Sequence, residues 1–341
     1  MGKKNNVLNH YFRDVNRFAD LFNGVFFGGK RIIKAQELEA VSEAYEEVAN
    51  KESENEGVRQ QRFRDIRMSL KTGEVFRLLA LENQDKVNYA MPFRCMQYDT
   101  MEYSMQLDGL RRKNGRAGKY ESAAERVGRI KKSDRLTPIY TLCVYYGEEP
   151  WDGPRSLRDM MNFGDDSDGM SRYFADYPMR LFCLNEKDNF DEFHSEIRKV
   201  FHLLKFRGDK KLMEQELENN AQYRRVDIDT LEVMAVILDA PQIWKNREEY
   251  MIDEEESEEY DMCKAIREMR EDARTEGRTE GRTENCVENI LLLLAENDNV
   301  PEELKQRIMQ EKNIVILRKW LRLAAKAESV EEFTRRMDET A

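Results

Sequence analysis

The sequence predicts a mixed α/β domain followed by an all-helical C-terminal region, and three observations predict it. Two apolar-alternating runs, Arg62–Leu70 and Glu74–Gln84, flank Lys71-Thr72-Gly73-Glu74 as the arms of a β-hairpin would. Helix-like and strand-like segments then alternate, from Arg94–Leu110 through Leu136–Tyr146 to Met179–Leu184. After Asn189 the strand-like runs cease, and the periodic segments are helical.

Taken in order, residues 8–27 read as a helix because Phe12, Phe18, Leu21, Phe22 and Val25 recur near a 3.6-residue period, and Gly28-Gly29 ends it. Residues 35–56 are polar and acidic and predict a surface helix or loop. Pro92 sits near the start of the helix over Arg94–Leu110, a position where its missing N–H costs nothing. Residues 111–135 carry Gly115, Gly118 and Gly128 and predict a mobile loop or frayed helix. Ile139, Tyr140, Leu142, Val144 and Tyr145 give the next segment strand character, and a turn-rich stretch around Trp151 follows. Phe190–Phe206, Lys210–Gln222 and Asp227–Leu238 read as helices. A tetrad repeat, Arg274-Thr-Glu-Gly-Arg278-Thr-Glu-Gly-Arg282-Thr-Glu, keeps the Arg residues near one helix stripe and the Glu residues near the next, where i,i+4 support is expected. Its two glycines each cost roughly 1 kcal/mol there, so a solvated, weakly stable helix or linker is expected. Four short helical segments close the chain. The predicted organisation is a domain over 8–188, a helical extension over 189–262, the charged repeat over 263–285 and a small helical unit over 286–341.

Composition narrows the function classes. The chain has 341 residues, 40% hydrophobic and 36% charged. Its longest apolar runs, Ile290–Ala295 and Val233–Leu238, are far shorter than the ~18 residues of a membrane span. The basic N-terminus lacks an apolar run after it, so no signal peptide is expected and the expected location is cytoplasmic, with no membrane partner. Five widely spaced cysteines without a CxxC pair argue against a disulfide framework or a zinc site. His194 and His202, eight apart, are expected to share a helix face as ordinary structure. Any metal is therefore expected to be a hard cation held by carboxylates. A net charge of −11 argues against a nucleic-acid partner, but its distribution is uneven. Between Arg111 and Arg135 stand ten Lys/Arg against three Asp/Glu, and Arg59–Lys71 holds five basic residues around Asp65. Phosphate contact needs only such a local field, because screening limits its reach to ~10 Å.

The hairpin can be read for side-chain direction. With a turn of two or four residues around Thr72-Gly73, Asp65 lies opposite Ala80, and Asp65, Ala80, Glu82 and Gln84 share one face. Asp65 and Glu82 then become diagonal neighbours ~7–8 Å apart, close enough for both carboxylates to lean onto one Mg²⁺. A plainer account pairs Asp65 with Arg64 or Arg67 and lets Glu82 end a strand. Spacing alone does not separate the two.

Several ordered motifs add to this. Phe18-Ala-Asp-Leu-Phe-Asn23, Arg64-Asp-Ile, Leu81-Glu-Asn-Gln84, Tyr89-Ala-Met-Pro-Phe-Arg94 with Tyr98-Asp99 and Tyr103, and Tyr145-Tyr-Gly-Glu-Glu-Pro-Trp-Asp-Gly-Pro154 together resemble the recombination-promoting nuclease (Rpn) family, the PD-(D/E)XK nuclease family transposases. The resemblance spans roughly residues 8–285. It implies a restriction-endonuclease-like core with a mixed central sheet flanked by helices, DNA as substrate, and dependence on Mg²⁺ or Mn²⁺. It also implies Asp65 and Glu82 as metal ligands, the Asn83 backbone carbonyl as a third, and Asp20 as an additional acidic ligand. Gln84 stands where the wider superfamily has Lys. An amide can orient a water but cannot supply positive charge or take a proton, so activation of the water would rest on the metal. Arg64, Arg94, Tyr98, Arg111, Arg112 and Lys113 are the expected phosphate contacts, and a homodimer through the C-terminal helical region is the expected assembly. The competing expectation is a catalytically weak DNA-binding or oligomerising protein that keeps the nuclease fold.

Overall fold

The computed structural model describes residues 3–41, 66–72, 75–165, 169–252, 258–297 and 299–339. The chain forms two compact units, Met1–Cys263 and Lys264–Ala341.

The first unit is built on a five-stranded sheet in the order β1 (Leu38–Ala40), β2 (Ile66–Thr72), β3 (Val75–Gln84), β4 (Ile139–Tyr145), β5 (Arg180–Cys183). β1, β2 and β3 run antiparallel, whereas β3, β4 and β5 run parallel. The sheet is therefore mixed. The parallel half needs a long crossover, and α3 (Met91–Ala117) supplies it between β3 and β4. Both faces of that half are covered, which is why Leu78–Leu81 reads as an unbroken apolar run instead of an alternation.

One face carries Leu79, Leu81, Leu142, Val144 and Phe182, all buried or nearly so. It meets α1 (Lys3–Tyr11), α2 (Val15–Phe27) and α5 (Ile197–Leu204) through an aromatic cluster. Phe182 lies edge-on to Phe193 at 5.6 Å, and Phe193 lies edge-on to Phe201 at 5.2 Å. The other face carries Glu82, Cys143, Tyr145 and Cys183 and packs under α3, whose Met91 and Cys95 are buried.

Several expectations are corrected here. The single helix over 8–27 is two helices, because Asp14 in extended conformation caps α2 by accepting from the Asn16 and Arg17 N–H groups. Gly28 closes α2 in the left-handed region, as its sequence position predicts. Of the stretch 35–56, expected as a surface helix or loop, residues 35–40 form a short 3₁₀ turn and the edge strand β1, and residues 42–56 lie outside the described residues. The hairpin pairs Thr72 with Val75, so Arg67, not Asp65, faces Ala80. Because the register moves by two residues, the alternation of faces is unchanged. The segment 111–135 is part helix and part loop: α3 runs on to Ala117, α4 (Ala123–Gly128) follows it, capped by Ser122, and residues 118–122 and 129–135 carry neither helix nor strand. His194 precedes α5 and bonds the Gly29 carbonyl oxygen through Nε2, while His202 sits within α5 against Tyr223 and Glu216, so the two share no helix.

Helices α6 (Lys210–Asn219), α7 (Ile228–Ile237) and α8 (Pro241–Lys245) and the ribbon of β6 (Val226–Asp227) and β7 (Glu259–Tyr260) complete the unit. Arg17 ties α2 to this part, donating to Asp229 at 2.7 Å and Asp227 at 2.6 Å while its guanidinium lies 4.2 Å from the Tyr11 ring centre.

The tetrad repeat lies within α9 (Met262–Asn297), where Thr279 and Thr283 hydroxyls donate one turn back to the Thr275 and Thr279 carbonyls. In the second unit, Ile290 and Leu294 of this helix join Leu304 and Ile308 of α10 (Glu302–Gln310), Leu317 and Trp320 of α11 (Ile314–Ala324), and Phe333 and Met337 of α12 (Val330–Asp338) in one core.

Candidate functional site

The last three residues of β3 place three different groups in three directions. Glu82 pairs with Cys143, Asn83 with Val144 and Gln84 with Tyr145 across the parallel ladder. Strand alternation puts Glu82 and Gln84 on the α3 face and the Asn83 side chain on the other, where its amide donates to Asn9 Oδ1 at 2.6 Å. Backbone groups alternate as well. Leu78 N–H donates to the Pro138 carbonyl and Tyr146 N–H donates to the Gln84 carbonyl, so even-numbered peptide groups of β3 address β4. The Asn83 carbonyl is thereby aimed at the opposite edge, the β2 side, beyond the Ile66–Leu81 pair that ends the described ladder.

Glu82 is 1% exposed, a burial that carboxylates tolerate only with partners. Arg94, one turn into α3, brings Nη2 to 3.6 Å from Glu82 Oε2. The same nitrogen donates to the Tyr98 hydroxyl at 3.3 Å, and the guanidinium stands 5.8 Å from the Tyr98 ring centre. Burial works against the Arg94 charge, but the Tyr98 hydroxyl and the Glu82 carboxylate outweigh it and hold the group protonated. The Arg94 side chain is 30% exposed, so it links a sealed carboxylate to solvent. Beside them the Cys143 thiol is pushed well above its ordinary range, first by burial and then by Cys95, Glu82 and Cys183, which keeps it a neutral thiol and no nucleophile.

Further along α3 the same interface continues polar. Asp99, 8% exposed, accepts from Thr141 Oγ1 at 2.7 Å and from the Tyr177 hydroxyl, and Glu102, 5% exposed, takes Arg67 Nη1 at 3.1 Å. The sequence motifs include Asp99 without assigning it a role, and they do not include Glu102. Their signal was available: Met91, Cys95, Tyr98 and Glu102 follow a 4-3-4 spacing, so an acid stands on the stripe that faces the sheet.

Of the residues expected at the site, the structure brings together Glu82, Arg94 and Tyr98, with Gln84 two residues along on the same face. Asp65 and Arg64 lie outside the described residues, immediately before Ile66 at the start of β2. Asp20 is joined to a different segment. Its carboxylate accepts the His194 and Ser195 N–H groups and the Ser195 hydroxyl at 2.6–3.1 Å, fastening α2 to the approach to α5. Arg111, Arg112 and Lys113 are exposed near the far end of α3, with Arg111 paired to Asp108 at 3.0 Å. Among the described residues, no group of three His, Cys, Asp or Glu side chains gathers as a metal-ligand set. The described oxygen donors at this point are the Glu82 carboxylate and the Asn83 carbonyl, which suit a hard divalent cation in kind and need a further carboxylate to complete a site.

Compared with known protein families, curated proteins and solved structures, the chain matches none. Among the described residues no helix is long and apolar enough to cross a membrane.

Proposed function

We propose that the first unit is a divalent-metal-dependent DNA endonuclease of the PD-(D/E)XK type, related to the recombination-promoting nucleases, which hydrolyses phosphodiester bonds at Glu82. The observation that supports this most is the placement of one buried carboxylate at the C-terminal end of a central strand, beside a strand carbonyl aimed at the β2 side and under an Arg–Tyr pair. In this reading Glu82 and the Asn83 carbonyl hold the cation with Asp65, the residue preceding β2. When bound, the cation supplies acidification of a water and polarisation of the scissile phosphate. Gln84 orients that water through its amide. Arg94, already charged and half-exposed, moves from Glu82 to a phosphate oxygen when substrate arrives, with Tyr98 holding its guanidinium plane. Mg²⁺ and Mn²⁺ both suit such oxygen ligands.

One observation favours a second reading, a DNA-binding protein that keeps the fold without the chemistry: Arg94 engages Glu82 and so competes with a cation for it. Cleavage of supercoiled plasmid across an Mg²⁺ and Mn²⁺ titration separates the two. The nuclease reading expects nicking or linearisation that disappears in Asp65→Ala. Duplex binding with no cleavage under either ion would leave only the second reading.

A further inference from the structure

We infer that the excursion between α3 and β4 is a built arm that grips the phosphate backbone of duplex nucleic acid, held at a fixed remove from Glu82. The grip stands independently of the nuclease reading; the meaning of the remove rests on it.

The excursion leaves and returns at one point. The Gln106 side chain closes it, donating to the Thr137 carbonyl at 3.2 Å and accepting from the Thr137 N–H at 2.7 Å. Inside the loop so closed, the buried Asn114 amide donates to the Arg129 carbonyl at 3.0 Å and to Asp134 Oδ2 at 2.7 Å. Asp134 also accepts the Lys131 N–H, and Glu125 accepts the Glu121 and Lys132 N–H groups, each at 2.7–2.9 Å. Two of the three acids in Arg111–Arg135 are thus turned inward onto backbone donors, which hold both carboxyls below the usual range and ionised. The ten cations are displayed outward: only Lys131 is half-buried, and the other nine are exposed.

Such a surface on a chain of net charge −11 is a local positive field with a fixed scaffold, the pattern that binds polyanions by counterion release. Its composition selects among polyanions. Tyr120, half-buried, is the one aromatic between Arg111 and Arg135, so there is no stacking platform for unpaired bases. Val127 and Leu136 are the exposed large apolar side chains of the excursion, nine residues apart, too little apolar surface to enter a bilayer. The partner is therefore a duplex, read through its phosphates and not its sequence. Arg94 and Lys113 are nineteen residues apart on one helix, about 28 Å, or roughly eight base pairs along a duplex. The arm and the Glu82 site therefore contact different phosphates, and the phosphate contacts expected from sequence fall into two separate groups.

The test uses the full chain, EDTA and a fluorescent random-sequence 24-base-pair duplex, with affinity read by anisotropy from about 50 to 300 mM salt. Lys113→Gln/Arg116→Gln/Arg129→Gln/Lys132→Gln is expected to bind at least about tenfold more weakly near 0.1 M salt, with a salt slope shallower by about 3–4. Its thermal midpoint, measured alongside, is expected to stay at the wild-type value. Asp134→Asn opens the scaffold while making the arm more positive, and its affinity is expected to fall. Equal binding by the quadruple variant overturns the arm. A rise in Asp134→Asn overturns the scaffold in favour of diffuse charge. Tighter binding to a single-stranded 24-mer or to phosphatidylserine vesicles than to the duplex overturns the choice of partner. Cleavage is not read in EDTA, so an inactive protein leaves this result standing.

Discussion

A carboxylate at 1% exposure and a guanidinium at 3.6 Å hold each other in place, and each makes the other's burial affordable. Truncating Arg94 to Ala takes a charged partner from the sealed Glu82 carboxylate, which should cost about 1–3 kcal/mol, below the fully buried range because Arg94 is partly exposed. Glu82→Gln removes that liability, so the double variant should be more stable than the sum of the two singles predicts, read from denaturant midpoints. Strict additivity would mean the pair is not coupled. In cleavage, Glu82→Gln should lose at least about a hundredfold if Glu82 holds the cation as proposed. The facing of Glu82 and Gln84 was legible in the sequence because strand alternation depends only on parity, and the register moved by an even number. The Arg94–Glu82 contact was not legible, because it depends on where α3 crosses the sheet. Asp99 and Glu102 had no role assigned because acids on a helix read as solvent-facing until the stripe they occupy is counted.

At the scale of elements, α1 and α2 are separated by a cap that the apolar period alone does not reveal. Asp14 supplies it, and the break lets Arg17 reach Asp227 and Asp229 while Tyr11 bonds Thr230. Arg17→Met should cost about 1–3 kcal/mol, discounted because both acids are about two-fifths exposed. Burial raises the Asp227 carboxyl, but Thr230 and Arg17 together lower it further, so the net folded value lies below the ordinary one. Its contribution is therefore complete above the unfolded carboxylate range near about 4 and is lost as pH falls through the folded value. As pH falls below about 4 the wild type should lose stability more steeply than Asp227→Asn, measured by urea midpoints against pH. Equal slopes would remove Asp227 from the acid response. The helical crossover and strands β2 to β5 were recognisable from period and turn residues, whereas the short strands β1, β6 and β7 were not. The folded state of 111–135 was not, since its order comes from Asn114, Glu125 and Asp134 bonding backbone across the loop.

At the scale of the molecule, two units each own a core. Phe333 is fully buried in the second, and Phe333→Ala should cost that unit about 3–5 kcal/mol. Plasmid cleavage, which the proposal assigns to the first unit alone, should survive the change at temperatures where the first unit stays folded. Cleavage lost in parallel with the second unit's unfolding would show that the activity needs both. The proposed activity depends on a cation held at the end of β3. Titration of Mn²⁺ followed by the paramagnetic signal of the free ion tests it most directly. Saturable binding is expected, weakened at least about tenfold in Glu82→Gln and unchanged in Asp20→Asn, whose carboxylate serves the backbone of residues 194–195. Wild-type affinity in Glu82→Gln would contradict it.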